Sequence, residues 1–246
     1  MVLNIVLITA FGVGGATVLG AVIGFAFKKA ASLYSEYIMA CAAGIMLSAS
    51  VFSLIIPSIE RGGAYVTVLG MLLGALTIDV LDGAADGICA KLSLSAGEGT
   101  NKSVFLLISA IAIHNLPEGL AAGVGFGSGN VGDAIMIAGG IALQNIPEGM
   151  VLIPPMLGAG ITPFRTLALA SLTGVIEIIG TILGYFAVSI ATALLPFTLS
   201  LAAGCMLYVI LGEMLPASGL GEHSRLSNYF FLLSFAFMII FDALLA

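Results

Sequence analysis

Charge is what this chain has least of: only 8% of its 246 residues are Asp, Glu, Lys or Arg, against about 25% in an ordinary soluble domain. With 60% of the residues hydrophobic, a water-soluble globule is excluded. Disorder is excluded too, because it requires low hydrophobicity and high net charge. Tryptophan is absent, histidine occurs twice and cysteine three times. Cys41, Cys89 and Cys205 stand apart in apolar surroundings, with no paired spacing for zinc or disulfide chemistry, and read as small buried residues. Seven bases against thirteen acids leave a net charge of −6, so nothing here offers a nucleic acid the basic face it demands. A spanning helix takes about 20 apolar residues, so the chain has room for about eight with short connections.

Apolar stretches fall at 3–27, 36–59, 62–82, 103–126, 131–157, 164–189, 196–218 and 227–246. A membrane β-barrel would instead alternate polar and apolar residues over segments of about ten, and runs such as ASVFSLIIP do not alternate. The expected fold is therefore all-α: a polytopic membrane protein of eight transmembrane helices forming a single transmembrane domain over 1–246. The first stretch is expected to remain as a spanning helix, because Lys28 and Lys29 follow the apolar run and a secretion signal carries its bases before it.

Cytoplasmic loops collect Lys and Arg. Lys28, Lys29, Lys91, Lys102, Arg165 and Arg225 fall on one side of an eight-span chain and only Arg61 on the other, which places both termini outside the cytoplasm. The long connection at about 83–101 is polar and rich in glycine and is read as a cytoplasmic loop. Glycine is plentiful, and the pairs Gly20/Gly24, Gly70/Gly74, Gly119/Gly123 and Gly180/Gly184 have the four-residue spacing that lets helix backbones approach in lipid.

An ionisable residue at bilayer depth costs about 2.5–3.5 kcal/mol or more, so depth sorts the acids. Glu36, Glu60, Glu98, Asp133 and Glu222 lie near helix ends or in loops and read as solvated charges. Asp79, Asp82, Asp86 and Asp242 are also near ends. Glu118, Glu148 and Glu177 are different, each near the middle of a span. The first two belong to a repeat: His114-Asn115-Leu116-Pro117-Glu118-Gly119 is followed thirty residues later by Gln144-Asn145-Ile146-Pro147-Glu148-Gly149.

At about 100° per residue, His114, Asn115 and Glu118 share one arc of a helix, and so do Gln144, Asn145 and Glu148. Pro117 and Pro147 lack an N–H and crowd the carbonyls of Ile113 and Leu143, freeing them and kinking the helices. Broken helices at membrane depth are tolerated where they line a cavity, and transporters place ion sites there. An imidazole, three amides and two carboxylates thus face one another, with Glu177 able to join them. Carboxylate and imidazole suit divalent zinc, iron, manganese or cobalt, and the lack of thiolates argues against copper(I).

HNLPEGLAAG followed by QNIPEG in consecutive spans resembles the signature of the ZIP (Zrt/Irt-like) divalent metal transporters, and GIMLSASVFSLIIP resembles the second span of bacterial members. The resemblance implies a binuclear site between the second, fourth, fifth and sixth spans. His114, Glu118, Gln144 and Glu148 would hold one metal, with Met46 approaching it. Asn115, Asn145 and Glu177 would hold the other, with Glu118 and Glu148 bridging. It further implies transport of Zn²⁺, with Fe²⁺, Mn²⁺, Cd²⁺ or Co²⁺ as other cargo, into the cytoplasm across the inner membrane. An inverted repeat of outer helices around the central fourth and fifth spans, elevator-like sliding of the central helices, a homodimer and no catalytic cofactor complete what the resemblance implies. Gln144 stands where many members have histidine and Asn145 where some have aspartate; neutral amides bind transition metals less tightly, so one position is expected to be weaker or its selectivity broader.

Glu213, in LGEMLP of the seventh span, is a candidate for a peripheral cation site; His223, beside Glu222, reads as a surface histidine, with an exit-side ligand as the alternative. Two other functions remain open from the residues: a proton-coupled carrier of a small organic solute using Glu118 and Glu148, and an intramembrane metalloenzyme. The enzyme reading is disfavoured, because His114 has no second histidine at the spacing that H-E-x-x-H requires.

Overall fold

The computed structural model describes residues 2–95, 113–220 and 225–245. Among them the elements are helical: α1 (Val2–Ala26), α2 (Lys28–Leu33), α3 (Ser35–Ser48), α4 (Ile56–Ser95), α5 (113–124), α6 (Val131–Gly158), α7 (Pro163–Ile190), α8 (Leu195–Val209), α9 (Leu215–Ala217) and α10 (Arg225–Leu245). Six helical runs are long and apolar enough to cross a membrane, and the longest, Ser35–Ala84, has 50 residues. Straight, it would measure about 75 Å, more than twice the roughly 30 Å hydrocarbon core.

It is not straight. Gly63 breaks α4 with φ 78° and ψ 166°, a conformation essentially confined to glycine because any Cβ would clash. Across this break Ser58 Oγ and Thr67 Oγ1 stand 2.8 Å apart, although nine residues of continuous helix would separate them by about 13.5 Å. The chain therefore doubles back, close to the boundary predicted between 59 and 62. Thr67 also donates to the Gly63 carbonyl and Ser58 to that of Pro196, which ties the turn to α8.

Two other departures from α geometry share one cause. α3 passes into a π-helical turn at Ala49–Ile55, and α8 into another at Ile210–Met214. Each precedes a proline, Pro57 or Pro216. The ring crowds the carbonyl four residues back and donates nothing, and widening the ladder by one residue relieves that conflict.

The polar segment at 83–101 departs from expectation. Instead of a loop throughout, α4 continues to Ser95; residues 96–101 lie outside the described ones. Polarity alone does not end a helix once its N-terminal part is anchored, and the segment carries no proline before Ser95 to stop it.

Packing follows the glycine stripes. On α1, Ala10, Val13, Gly14, Thr17, Gly20, Ala21 and Gly24 are buried at helical spacing, whereas Ile8, Phe11, Leu19 and Val22 are exposed. Such a large apolar outer face is what a lipid environment accommodates and water does not. Gly20 and Gly24 lie against the carbonyls of Ile146 and Met150, and Gly149 against that of Thr17, joining α1 to α6. Gly14 meets Gly174 of α7, and Gly119 and Gly123 of α5 meet the carbonyls of Glu177 and Thr181. From the α7 side, Gly180 and Gly184 abut Leu116 and Leu120. Gly70, Gly74 and Gly204 join α4 to α8, and Gly44 joins α3 to α10. All four predicted glycine pairs sit at such seams.

Candidate metal centre

Helices α1, α5, α6 and α7 converge on Glu177, which is fully buried. An ionised carboxylate at that depth needs donors on both oxygens. Thr17 Oγ1 donates to Glu177 Oε1 at 2.7 Å, Asn115 Nδ2 donates to the same oxygen, and Asn145 Nδ2 donates to Oε2 at 2.6 Å. One asparagine from each copy of the repeated motif thus reaches the same carboxylate. The spacing argument put Asn115 and Asn145 on facing arcs, and the structure brings them together.

Glu118 and Gln144, also buried, form the neighbouring layer, with Gln144 Nε2 donating to Glu118 Oε1 at 2.7 Å. In these contacts the amides donate N–H groups to carboxylates, and Asn145 Nδ2 also donates to the Val13 carbonyl at 3.3 Å. Asn115 Oδ1, Gln144 Oε1, Asn145 Oδ1 and Glu118 Oε2 are all buried without a hydrogen-bond partner among the described residues. An unpaired buried acceptor costs about 1–3 kcal/mol. All four are lone-pair atoms, of the kind that a hard or borderline divalent cation takes as ligands. Glu148 is partly exposed and lies within electrostatic range of Glu118, Glu177 and Glu213. Met46 is buried on α3, in the same core cluster as Ile137 and Ile141 of α6.

His114 faces elsewhere. Its Nε2 stands 3.2 Å from Glu213 Oε1 and 3.8 Å from Asp82 Oδ1. Ligand atoms at about 2.0–2.1 Å from a tetrahedral zinc lie about 3.3–3.4 Å apart, so these three residues have the spacing of ligands drawn slightly open. Ligand atoms of Asp82, His114 and Glu213 all fall within 4.8 Å of one another. Glu213 arrives there on the π-turn Ile210–Met214, Asp82 on α4 and His114 on the first described turn of α5. Reading the sequence flagged Glu213 and took Asp82 for an end-of-helix charge. That is corrected, because the folded-back arm of α4 carries Asp82 to the motif. Asp242, also read as an end residue, is buried and accepts from Ser53 Oγ at 3.4 Å. Glu222 and His223 lie outside the described residues.

Thr17 was missed altogether. Its signal was a hydroxyl within the small-residue stripe of α1, where only groups that tolerate close packing are found.

Comparison with known proteins shows the family. The profile of the ZIP zinc transporter family matches residues 90–242. Zinc transporter GufA of Myxococcus xanthus is 34% identical over 204 residues, 78% of this chain and 79% of that protein. Zinc transporter ZIPB of Bordetella bronchiseptica is 30% identical over 243 residues, covering 94% and 78%. Zinc transporter ZIP11 of Bos taurus is 37% identical over 175 residues, covering 68% and 51%. The chain spans about half the length of the vertebrate relatives it matches. These relatives are named as transporters, not enzymes. With the doubled motif folded onto one carboxylate and the family profile running through it, this multi-pass membrane chain belongs to the ZIP zinc transporter family.

Proposed function

We propose that the chain carries divalent transition-metal ions, zinc foremost, into the cytoplasm across the inner membrane, through a binuclear site built from Met46, His114, Asn115, Glu118, Gln144, Asn145, Glu148 and Glu177. The observation that carries this reading is the set of four buried oxygens without donors around Glu118 and Glu177. Each cation would satisfy several of them at once and offset the repulsion between neighbouring carboxylates. Asp82, His114 and Glu213 form the next station. His114 contributes one nitrogen and serves only one cation at a time, so it belongs by turns to the buried layer and to the Asp82–Glu213 pair. Fe²⁺, Mn²⁺, Cd²⁺ and Co²⁺ suit the same oxygen-rich donors.

The architecture we infer has eight spans, both termini outside the cytoplasm, and paired inverted halves, with a homodimer as the assembled form. The reversal at Gly63 supports an even number of crossings, and the π-turns before Pro57 and Pro216 support the correspondence between halves. Elevator-like sliding is supported by the seams: backbone contact ties α1 to α6 and α7, and α5 to α7. An almost wholly apolar cavity of about 340 Å³ lies between α5 and α7 on one side and α4 and α8 on the other.

Liposomes holding purified protein and a zinc-sensitive dye test the reading. Uptake is expected in the native chain and loss of about 100-fold or more in Glu118→Ala or Glu148→Ala. Full uptake in both variants would sink the proposal, and uptake of an organic solute without metal would favour the proton-coupled carrier. Ligands bind metal deprotonated, so zinc affinity is expected to fall as pH falls from 8 to 5, about tenfold per pH unit for each proton displaced. A flat profile would exclude carboxylate and imidazole ligation.

A further inference from the structure

Two of the seven bases, Lys28 and Lys29, lie in one cleft at the end of α1, away from the metal centre. The cleft has a volume of about 690 Å³ and is lined by Lys28, Lys29, Ser32, Leu33, Pro154 and Leu157. No carboxylate lines it, and neither lysine has an acidic partner among the described residues, in a chain where acids outnumber bases thirteen to seven. Lys28 Nζ stands 6.0 Å from the centre of the Phe25 ring, which holds the ammonium near the apolar end of α1. Phe27, Leu33 and Tyr34 are exposed around it, the mark of a segment at the bilayer boundary.

We propose that this cleft binds the headgroup of an anionic phospholipid. The two ammonium groups and the Ser32 hydroxyl meet the phosphate, while Leu33, Pro154 and Leu157 provide apolar walls for the start of an acyl chain. A free anion would use the lysines and gain nothing from those walls; a zwitterionic lipid would gain the walls and cancel much of the charge attraction. α2, which carries Lys29 and Ser32, is the covalent link from α1 to α3, so the lipid would sit where the motif-bearing helices join the outer ones.

The test extracts full-length protein from membranes of equal parts phosphatidylcholine and phosphatidylglycerol and counts retained lipid by native mass spectrometry. Retention of phosphatidylglycerol over phosphatidylcholine is expected. In the double variant Lys28→Gln with Lys29→Gln, affinity for phosphatidylglycerol should fall by about 30-fold, at roughly fivefold per lysine. The exposed pair Arg165→Gln with Arg225→Gln removes the same charge elsewhere and should leave retention unchanged. An equal loss in both double variants would reduce the effect to general charge attraction and overturn the site. Displacement of the lipid by inorganic phosphate at equal concentration would overturn it too, in favour of a free-anion site.

Discussion

The motif-bearing helices α1, α5, α6 and α7 touch one another through backbone, whereas they meet α3, α4, α8 and α10 through side chains. Within the first group Gly20, Gly24, Gly119 and Gly123 lie against main-chain carbonyls. At the boundary, Gly140 meets the end of Met238 and Gly127 meets the Leu195 side chain. In lipid there is no hydrophobic drive between helices, so contact area and small residues decide which helices move as a unit. The candidate metal centre follows the same division. Glu118, Gln144, Asn115, Asn145, Thr17 and Glu177 all come from the first group, whereas the Asp82–His114–Glu213 cluster bridges both. The buried layer is thus drawn from one group of helices, and the second cluster is shared across the boundary.

Substitutions separate the two kinds of contact. Gly119→Leu should cost about 3 kcal/mol or more, because its first side-chain carbon would meet the Glu177 carbonyl, which cannot swing away. Gly140→Ala asks only the flexible Met238 tip to shift and should cost under about 1 kcal/mol. Unfolding in mild detergent reads both, and equal losses would erase the distinction between backbone and side-chain seams. Thr17→Val removes a hydrogen bond to a buried carboxylate, worth about 1.5–3 kcal/mol. It should also weaken zinc binding measured by titration; unchanged stability and affinity would show that Asn115 and Asn145 hold Glu177 unaided.

Outside the motif-bearing group the expected effects spare metal affinity. Gly63→Ala strains a backbone conformation with φ 78° and should cost about 1–3 kcal/mol. Smallest is Arg61→Gln, which breaks a 3.2 Å pair with Asp133 whose side chains are both 36% exposed. Less than about 1 kcal/mol is expected there. A larger loss would mean that this pair, which joins the α4 turn to the start of α6, fastens the two groups together.

Much of the site was legible because polar residues in an apolar chain stand out one by one. His114, Asn115, Glu118, Gln144, Asn145, Glu148 and Glu177 were visible as residues too costly to place at that depth without a purpose. The glycine seams were visible because their spacing repeats along a helix. Thr17 was not, since a single threonine in a spanning helix can satisfy itself on its own backbone. Asp82 was not, because its neighbours are 32 and 131 residues away in the chain. The loop at 83–101 was misjudged because composition reports solvent exposure better than it reports backbone conformation.

Membrane residence, the helical class, the reversal near Gly63 and the chemical character of the cation site follow from local quantities: apolar run length, residue spacing and the cost of a buried charge. Those can be read along one dimension. Which donors reach Glu177, where His114 points and which helices are locked together depend on how the helices rotate and approach one another. Only the folded chain decides that, because helix faces are chosen by the glycine contacts each partner offers, and no segment carries that information alone.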